Sequence, residues 1–360
     1  MKNIFLAFAV TTLLIVSCSK NNTPVVPPVV TTPTTPIIVA DTSLYKLVSF
    51  PIGASVGISL MKNNAPYAGI VTKEYNSLTA ENAMKFDALH PSQNTYTWNN
   101  ADYLVTYAQA NNKRLHGHTL NWYQALPGWV TNFVGDSTAW ENMLKDHIQT
   151  VVTHFKGKVA SWDVVNEAFN DDGSIRNSIW VQHLGADYVA RCFQYANAAD
   201  PAALLFYNDY GHEYSLAKRT AINNMLASFK TRRIPIHGIG LQFHITLGDT
   251  DANIAAAINL AAATGLKVHI SELDVRLNNS KSQTFPFTAA LATQQSGRYQ
   301  FVVKTFKAIP AALQYGITTW NVTDADSWIP SWQGAPDYPL PFDAKYQRKA
   351  AYRGIIEGAK

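Results

Sequence analysis

The sequence contains little cysteine and little charge. Only two of its 360 residues are cysteine, Cys18 and Cys192, and only 15% are Asp, Glu, Lys or Arg. Two cysteines this far apart provide neither a disulfide framework nor the spacing of a metal site. The net charge of +4 is scattered and includes no basic run, which argues against nucleic-acid binding. We therefore expect no nucleic-acid partner, no metal and no cofactor.

The N-terminal apolar run, from Ile4 to Val16, is too short to span a bilayer well. Because an early lysine precedes it, residues 1–17 are predicted to be a secretory signal peptide. The run ends in Ile15-Val16-Ser17-Cys18, which resembles a bacterial lipobox, so Cys18 is the expected lipidation site. The protein is predicted to be exported, as a cell-surface or outer-membrane lipoprotein or otherwise as a secreted protein.

A segment rich in Pro, Thr and Val follows, from Ser19 to Val39. This composition disfavours a packed fold and favours an extended spacer. Residues 18–44 are therefore predicted to be a lipid-anchored linker, which would be the protein's only membrane contact. The globular domain is predicted to begin near Tyr45, to continue as one unit to Lys360, and to be monomeric.

Strand-like and helix-like segments alternate through this domain. Helical periodicity is clearest in residues 140–155, 186–198, 252–263 and 294–313. The strand-like segments are residues 54–60, 77–83, 114–122, 159–167, 204–210, 236–245, 267–275 and 316–324. Eight such repeats predict an α/β fold, a single closed (β/α)8 TIM barrel with parallel strands.

Polar residues concentrate at the C-terminal ends of these strand-like segments. Examples are Asn166-Glu167, Asn208-Asp209 and Glu272. The C-terminal ends of barrel strands converge on the face where active sites lie. A purely structural role for these residues does not explain such one-sided placement. The pattern therefore predicts a functional site at this face.

Two of these residues, Glu167 and Glu272, can perform glycosidic bond cleavage. One carboxyl group would protonate the leaving oxygen, and the other would attack the anomeric carbon or activate a water. The Trp and Val neighbours of Glu167 suggest a dry setting that suits an acid. His244 and Asp274 could form a pair that orients Glu272 and keeps it ionised. The stereochemical outcome depends on the separation of the two carboxyl groups, which the sequence does not give.

Two other interpretations of these residues remain open. Glu167 and Glu272 could be buried structural residues paired with Lys85 or Arg114. His116 and His118, two residues apart on one strand, could bind a metal together with a carboxylate. The aromatic content, 12% of the chain, suits sugar rings as ligands but equally suits an aromatic core.

Seven motifs, in order, resemble glycoside hydrolase family 10, the retaining endo-β-1,4-xylanases. The resemblance covers the chain from Tyr45 to Lys360. The motifs are TAENAMKFD (79–87), HGHTLNW (116–122), WDVVNEAF (162–169), YNDY (207–210), GIGLQFHI (238–245), ISELDV (270–275) and TTWNVTDADSW (318–328).

The resemblance implies a retaining, double-displacement mechanism. It makes Glu167 the acid/base, Glu272 the nucleophile and Asn166 a ligand of the substrate 2-hydroxyl. His244 and Asp274 would support the nucleophile. The remaining substrate-binding residues implied by the family are Glu81, Asn82 and Lys85 on the non-reducing side, and His118, Trp122, Gln242, His244, Trp320 and Trp328 around the sugar being cleaved.

The sequence departs from the family after Trp122. The family usually continues His-Ser-Gln, whereas this chain has Tyr123-Gln124-Ala125. A donor near the cleavage site is thereby lost, and Gln124 could replace the family glutamine if the loop shifts by one residue. The predicted substrate is xylan. The alternatives are another β-glycan or decorated xylan on the same site, or a non-catalytic glycan-binding surface lipoprotein, although binding alone needs neither glutamate.

Overall fold

A computed structural model of the chain describes residues 42–360. The predicted signal peptide, Cys18 and the linker up to residue 41 lie outside the described residues. Among the helices of residues 42–360, none combines the length and the apolar composition needed to cross a bilayer.

Parallel strands form a closed barrel. The strands are β1 (Ile52–Val56), β2 (Ser77–Ala80), β3 (Arg114–Asn121), β4 (Ser161–Asn166), β5 (Leu204–Asp209), β6 (Gly238–Leu241), β7 (His244–Thr246), β8 (Lys267–Arg276) and β9 (Gln314–Thr319). Each pairs with its neighbour in parallel, and the ring closes through β1 with β9 and β6 with β8. Strand β7 pairs only with β8 and continues the position of β6. The barrel therefore has eight positions, which confirms the predicted (β/α)8 fold.

Helices pack around this barrel in the described part of the chain. They are α1 (Leu44–Leu47), α2 (Ile58–Asn63), α3 (Ala65–Glu74), α4 (Phe86–Leu89), α5 (Asn99–Ala110), α6 (Gly128–Thr131), α7 (Ser137–His154), α8 (Ile179–Leu184), α9 (Tyr188–Ala199), α10 (Leu216–Thr231), α11 (Asp251–Ala263), α12 (Ala289–Ala308), α13 (Ile329–Gln333) and α14 (Ala350–Ala359), with a short 3₁₀ helix at Ala311–Leu313. Polar N-cap side chains fix several helix starts: Asp136, Ser178 and Thr250 each accept a hydrogen bond from a first-turn backbone N–H.

Several predicted strand boundaries are wrong; the second strand, for example, ends at Ala80 and not at residue 83. The first strand ends at Val56, because Ile58 already begins α2. The sixth segment is divided in two, because Phe243 adopts a left-handed backbone conformation with φ of 57°. The last strand ends at Thr319, so Asp324 lies beyond it in a loop, where it forms a buried ion pair of 2.9 Å with Lys349.

The beginning and the end of the domain meet at one buried carboxylate. Glu74, at the end of α3, accepts a hydrogen bond of 2.8 Å from the backbone N of Leu44. The hydroxyl of Tyr352, on α14, donates to the same oxygen at 2.9 Å. The other oxygen of Glu74 binds the guanidinium of Arg348. Leu44 itself is completely buried, so the described chain is held in the core from its first helix.

Candidate active site

Glu167 lies where β4 ends, and the chain turns sharply there. Its backbone has φ of 58°, a left-handed conformation that costs a non-glycine residue about 1–3 kcal/mol. Hydrogen bonds on both sides hold this turn. The Glu167 N donates to Asn208 O at 2.9 Å, its carbonyl accepts from Arg176 Nε at 3.0 Å, and Ala168 N donates to the hydroxyl of Tyr207 at 2.9 Å. The turn therefore sets the direction of the carboxyl group.

Glu272 lies within β8 and is buried, with both carboxylate oxygens bound. Oε1 accepts a hydrogen bond of 2.7 Å from Asn208 Nδ2. Oε2 lies 3.2 Å from His244 Nε2. The carboxylate is thus fixed by one amide from β5 and one imidazole from β7. Fixed orientation is what a nucleophile needs to attack at a defined angle.

Three amide side chains connect the two glutamates. Gln242 Nε2 donates to Glu167 Oε1 at 3.0 Å and to Asn166 Oδ1 at 3.2 Å. The same Asn166 oxygen accepts from Asn208 Nδ2 at 2.9 Å, and Asn208 also binds Glu272. The network runs from β4 through β5 and β6 to β8 and is buried throughout. It brings the two carboxyl groups to the same end of the barrel.

His244 is the positive partner of Glu272. The β7–β8 register places His244 opposite Asp274, and their Nδ1 and Oδ2 atoms are 2.8 Å apart. Burial opposes a charged imidazole, but Asp274 and Glu272 outweigh it and raise the pKa of His244 well above its usual value. Burial alone would raise the pKa of Glu272, whereas the His244 hydrogen bond and the charges of His118 and His244 hold it below its usual value. Glu272 is therefore ionised at neutral pH.

This coupling predicts the pH dependence of a His244→Asn variant. Removing the imidazole removes the main interactions that lower the pKa of Glu272 and leaves the burial that raises it. Since the family resemblance implies that Glu272 reacts as the ionised nucleophile, the acidic limb of kcat/KM should move to higher pH. The loss of activity should be largest at acidic pH and should shrink as pH rises. A pH–rate profile of the free enzyme measures this shift.

The matched control for this experiment is His183→Asn. His183 is exposed on α8 and stacks on Trp140, away from both glutamates. Its profile should coincide with that of the parent. An acidic limb that stays at the parental pH in His244→Asn would show that His244 does not control the ionisation of Glu272.

Aromatic residues surround His244 on the same side of the site. Trp328 donates from Nε1 to Asp274 Oδ2 at 3.0 Å, and its ring centre lies 4.9 Å from that of His244. Trp320 is buried, with its ring centre 5.2 Å from that of His118 in an edge-on contact. His118 in turn lies 2.9 Å from Asp163 through Nδ1. Of the residues predicted around the sugar being cleaved, His118, His244, Trp320 and Trp328 therefore lie on the same side of the site as Glu272.

A second wall, formed by the segments that follow β2 and β3, holds the predicted residues Glu81, Asn82, Lys85 and Trp122. Lys85 Nζ donates to Asn82 Oδ1 at 2.8 Å and lies 5.3 Å from the centre of the Trp122 ring. Burial lowers the pKa of Lys85, although the charges of Glu272 and Glu81 oppose this shift. Burial likewise raises the pKa of Glu81, against Asn321 and Lys85. The wall thus offers an ammonium group, an amide and a carboxyl group for sugar hydroxyls.

After Trp122, where the sequence departs from the family, Tyr123 and Gln124 contact each other. Gln124 is exposed, and its Nε2 donates to the hydroxyl of Tyr123 at 2.7 Å. The Tyr123 ring lies 4.3 Å from the guanidinium carbon of Arg176, which also binds the Glu167 carbonyl. Tyr123 therefore occupies the side of the site next to Glu167, and the Gln124 amide is engaged with it.

The residues on which the structural and the metal interpretations depend have other hydrogen-bond partners in the structure. Arg114 donates to Ser77 Oγ at 3.0 Å and to Tyr315 O at 2.7 Å, and Lys85 donates to Asn82. His116 and His118 both lie against Asp163 Oδ2, at 3.0 and 2.9 Å. Burial opposes ionisation of Asp163, but the two histidines lower its pKa. Within residues 42–360, no group of three or more His, Cys, Asp and Glu side chains is arranged to hold a metal ion.

Asn208 is the site residue that the sequence reasoning missed. The sequence placed it at the end of the fifth strand but assigned it no role. In the structure its side-chain Nδ2 donates to both Asn166 and Glu272, and its side-chain Oδ1 accepts from Ser271 Oγ at 2.6 Å. Its position at a strand end, directly before Asp209, was the available signal.

Comparisons with known proteins agree with this geometry. The sequence profile described as glycosyl hydrolase family 10 matches residues 42–358. An endo-1,4-beta-xylanase of Agaricus bisporus is 36% identical over 82% of this chain and 87% of its own length. An exoglucanase, XynX of Acetivibrio thermocellus, is 37% identical over 86% of this chain. This chain spans only 29% of that protein, and 27% of an endo-1,4-beta-xylanase A of Thermoanaerobacterium saccharolyticum.

Solved structures show the same fold. The family 10 structure from Paenibacillus barcinonensis superposes with a TM-score of 0.84 at 34% identity, over 89% of this chain and 97% of that one. Xylanase 10B of Thermotoga petrophila, solved in complex with xylobiose, gives 0.83 at 33% identity, over 89% and 98%. The motifs, the barrel and these matches together show that the chain belongs to glycosyl hydrolase family 10.

Proposed function

We propose that this protein is a retaining endo-1,4-β-xylanase that hydrolyses internal β-1,4 linkages of xylan. The observation that carries the proposal is the pair Glu167 and Glu272, joined through Gln242, Asn166 and Asn208. One of the two carboxyl groups is held ionised by His244. Family membership and the xylanase relatives support the substrate and the retaining outcome.

In the first step, the ionised Glu272 carboxylate attacks the anomeric carbon. The bond from that carbon to the glycosidic oxygen breaks, and Glu167 gives its proton to the departing oxygen. The products are a glycosyl ester on Glu272 and the released half of the xylan chain. Asn166, next to Glu167, would bond the 2-hydroxyl of the sugar being cleaved.

In the second step, Glu167 acts as a base. It takes a proton from a water molecule, whose oxygen attacks the anomeric carbon and displaces Glu272. Two inversions at one carbon restore the original configuration, and both glutamates return to their starting protonation states. His244, paired with Asp274, stabilises the carboxylate that leaves.

The tryptophans beside Glu272 provide the basis for choosing xylose over glucose. Xylose lacks the exocyclic hydroxymethyl group of glucose. We propose that Trp320 and Trp328, which flank His244, exclude that group sterically. Glu81, Asn82 and Lys85 would bind the adjoining sugar on the non-reducing side, with His118, Trp122 and Gln242 contacting the sugar being cleaved.

The substrate proposal is tested with xylan and with matched aryl glycosides. Incubation with xylan should release new reducing ends. An aryl xylobioside should be cleaved with a kcat/KM at least about tenfold above that of the corresponding aryl cellobioside. Equal values would remove the selectivity assigned to Trp320 and Trp328. A higher value on the cellobioside would favour a β-glucan substrate, the alternative suggested by the relative named an exoglucanase. No new reducing ends from xylan and no cleavage of either aryl glycoside would favour a non-catalytic glycan-binding protein.

The N-terminal sequence supports a further proposal about location. We propose that residues 1–17 direct export, that Cys18 is lipidated, and that residues 18–44 tether a monomeric catalytic barrel of residues 45–360 to a membrane surface. In that case Cys18→Ala should move most of the protein from the membrane fraction to the soluble or secreted fraction. Ser19→Ala is the adjacent control. Equal membrane fractions of Cys18→Ala and the parent would contradict lipidation.

A further inference from the structure

An exposed tryptophan extends the aromatic wall of the site into solvent. Trp332, on α13, is 57% exposed, which is unusual for so large an apolar side chain. Its ring centre lies 5.3 Å from that of Trp328. Trp328 in turn contacts His244 and hydrogen-bonds Asp274. Trp332 is therefore continuous with the cleft, one aromatic side chain further from the glutamates.

Two cationic side chains flank this tryptophan. The guanidinium carbon of Arg276 lies 5.3 Å from the centre of the Trp332 ring, and Lys281 Nζ lies 5.5 Å from it. Arg276 is the last residue of β8, and the two-residue repeat of a strand places it on the same face as Glu272 and Asp274. The strand that supplies the proposed nucleophile thus also supplies one of these cations.

Both cations are available to an anion from solvent. Arg276 uses its Nε to donate to Asn279 Oδ1 at 3.0 Å, and its terminal nitrogens donate no hydrogen bond to residues 42–360. Lys281 is exposed, and neither residue forms an ion pair with a carboxylate of residues 42–360. The nearby carboxylate of Asp337 is buried and occupied by the backbone N–H groups of Leu277 and Asn278. We call Arg276, Lys281 and Trp332 the cationic rim.

We propose that the cationic rim binds the carboxylate of a uronic-acid branch carried by the xylan main chain. This inference rests on the proposed xylanase function and adds to it the class of decorated substrate. A sugar ring suits the indole, and its carboxylate suits the guanidinium and the ammonium group. A neutral branch would leave both cations without an anionic partner, whereas a free inorganic anion would make no use of the indole. Attachment to a main chain lying in the cleft would hold the branch beside the rim.

The test compares one branched polymer in two charge states. A xylan with uronic-acid branches is divided, and in one half the carboxyl groups are reduced to primary alcohols. The parent protein should cleave the acidic form with a kcat/KM about fivefold above that of the reduced form, the effect expected of two exposed ion pairs. Because salt screens such pairs, the ratio should fall toward one as NaCl rises from about 0.05 M to about 0.5 M.

The variants remove the two positive charges and leave polar side chains in their place. In Arg276→Gln with Lys281→Gln, the ratio of kcat/KM on the two polymers should fall to about one. The matched control, Arg233→Gln with Lys304→Gln, removes the same charge from exposed positions away from the cleft and should keep the parental ratio. A parental ratio of one, or a raised ratio that survives the rim substitutions or high salt, would overturn the inference.

Failure of this inference is distinguishable from failure of the proposed function. An unbranched aryl xylobioside carries no uronic acid and reports only on the two glutamates. If it is cleaved while the charge ratio is one, the enzyme is a xylanase whose rim does not bind the branch. If it is not cleaved by the parent, the xylanase proposal fails, and the rim assignment fails with it.

Discussion

Replacing Glu272 with alanine should reduce kcat/KM on xylan by about 10⁵-fold, because the double-displacement reaction then has no nucleophile. The substitution also leaves the amide of Asn208 and the imidazole of His244 without their acceptor. Release of reducing sugar from xylan, with an aryl xylobioside as second substrate, measures the loss. The folded state is checked by thermal unfolding, since removal of a buried charge that His244 stabilises also changes stability.

A small anion provides a sharper form of the same test. Azide can enter the space left by the missing carboxylate and attack the anomeric carbon of an activated aryl xylobioside once, from the side that Glu272 occupied. The product should be a glycosyl azide of inverted configuration, formed at a rate that rises with azide concentration. Glu357→Ala, on the partly exposed face of α14, is the control and should keep parental kinetics. Parental activity of Glu272→Ala without azide would remove the nucleophile role.

Replacing Glu167 with alanine should affect substrates according to their leaving groups. Xylan and unactivated glycosides need a proton on the departing oxygen, so their kcat/KM should fall by about 10³-fold. In an aryl xylobioside with a strongly acidic phenol, the phenolate leaves without protonation. The kcat/KM for this substrate should therefore stay within about tenfold of the parental value. Its kcat should nevertheless fall, because the second step lacks the base that activates water.

Rapid mixing separates the two steps in Glu167→Ala. The activated substrate should give a burst of phenol equal to one equivalent per enzyme, followed by slow turnover as the glycosyl ester on Glu272 accumulates. The same Glu357→Ala control should show no burst. Equal losses of kcat/KM on activated and unactivated substrates would take the acid role away from Glu167.

The sequence was sufficient to predict the barrel but not the path of the chain at the site. Alternation of strand and helix patterns predicted eight barrel positions, because each strand is buried on both sides and is followed by an amphipathic helix. The break at Phe243 was not predictable from the sequence pattern. Residues 238–243 are all buried, so their side chains give no change of pattern where the strand is interrupted. The left-handed turn is required by tertiary structure: it aims Gln242 at Glu167 and His244 at Glu272.

The role of Asn208 shows a second limit of sequence reasoning. An asparagine at a strand end predicts a polar residue facing the site, which the sequence did indicate. Its partners come from β4 and β8, and this combination depends on the register between strands that are distant in sequence. The cationic rim is a similar case, since α13 and the end of β8 meet only in the folded barrel.

The buried carboxylate of Glu74 has a mechanical consequence. Any segment preceding Leu44 enters the domain at a point clamped to the last helix, through Leu44 N, Tyr352 and Arg348. A pulling force on the leading end would therefore act first on these contacts. The strain would fall between the first and last helices, at the N-terminal end of the barrel strands, whereas Glu167 and Glu272 lie toward the C-terminal end.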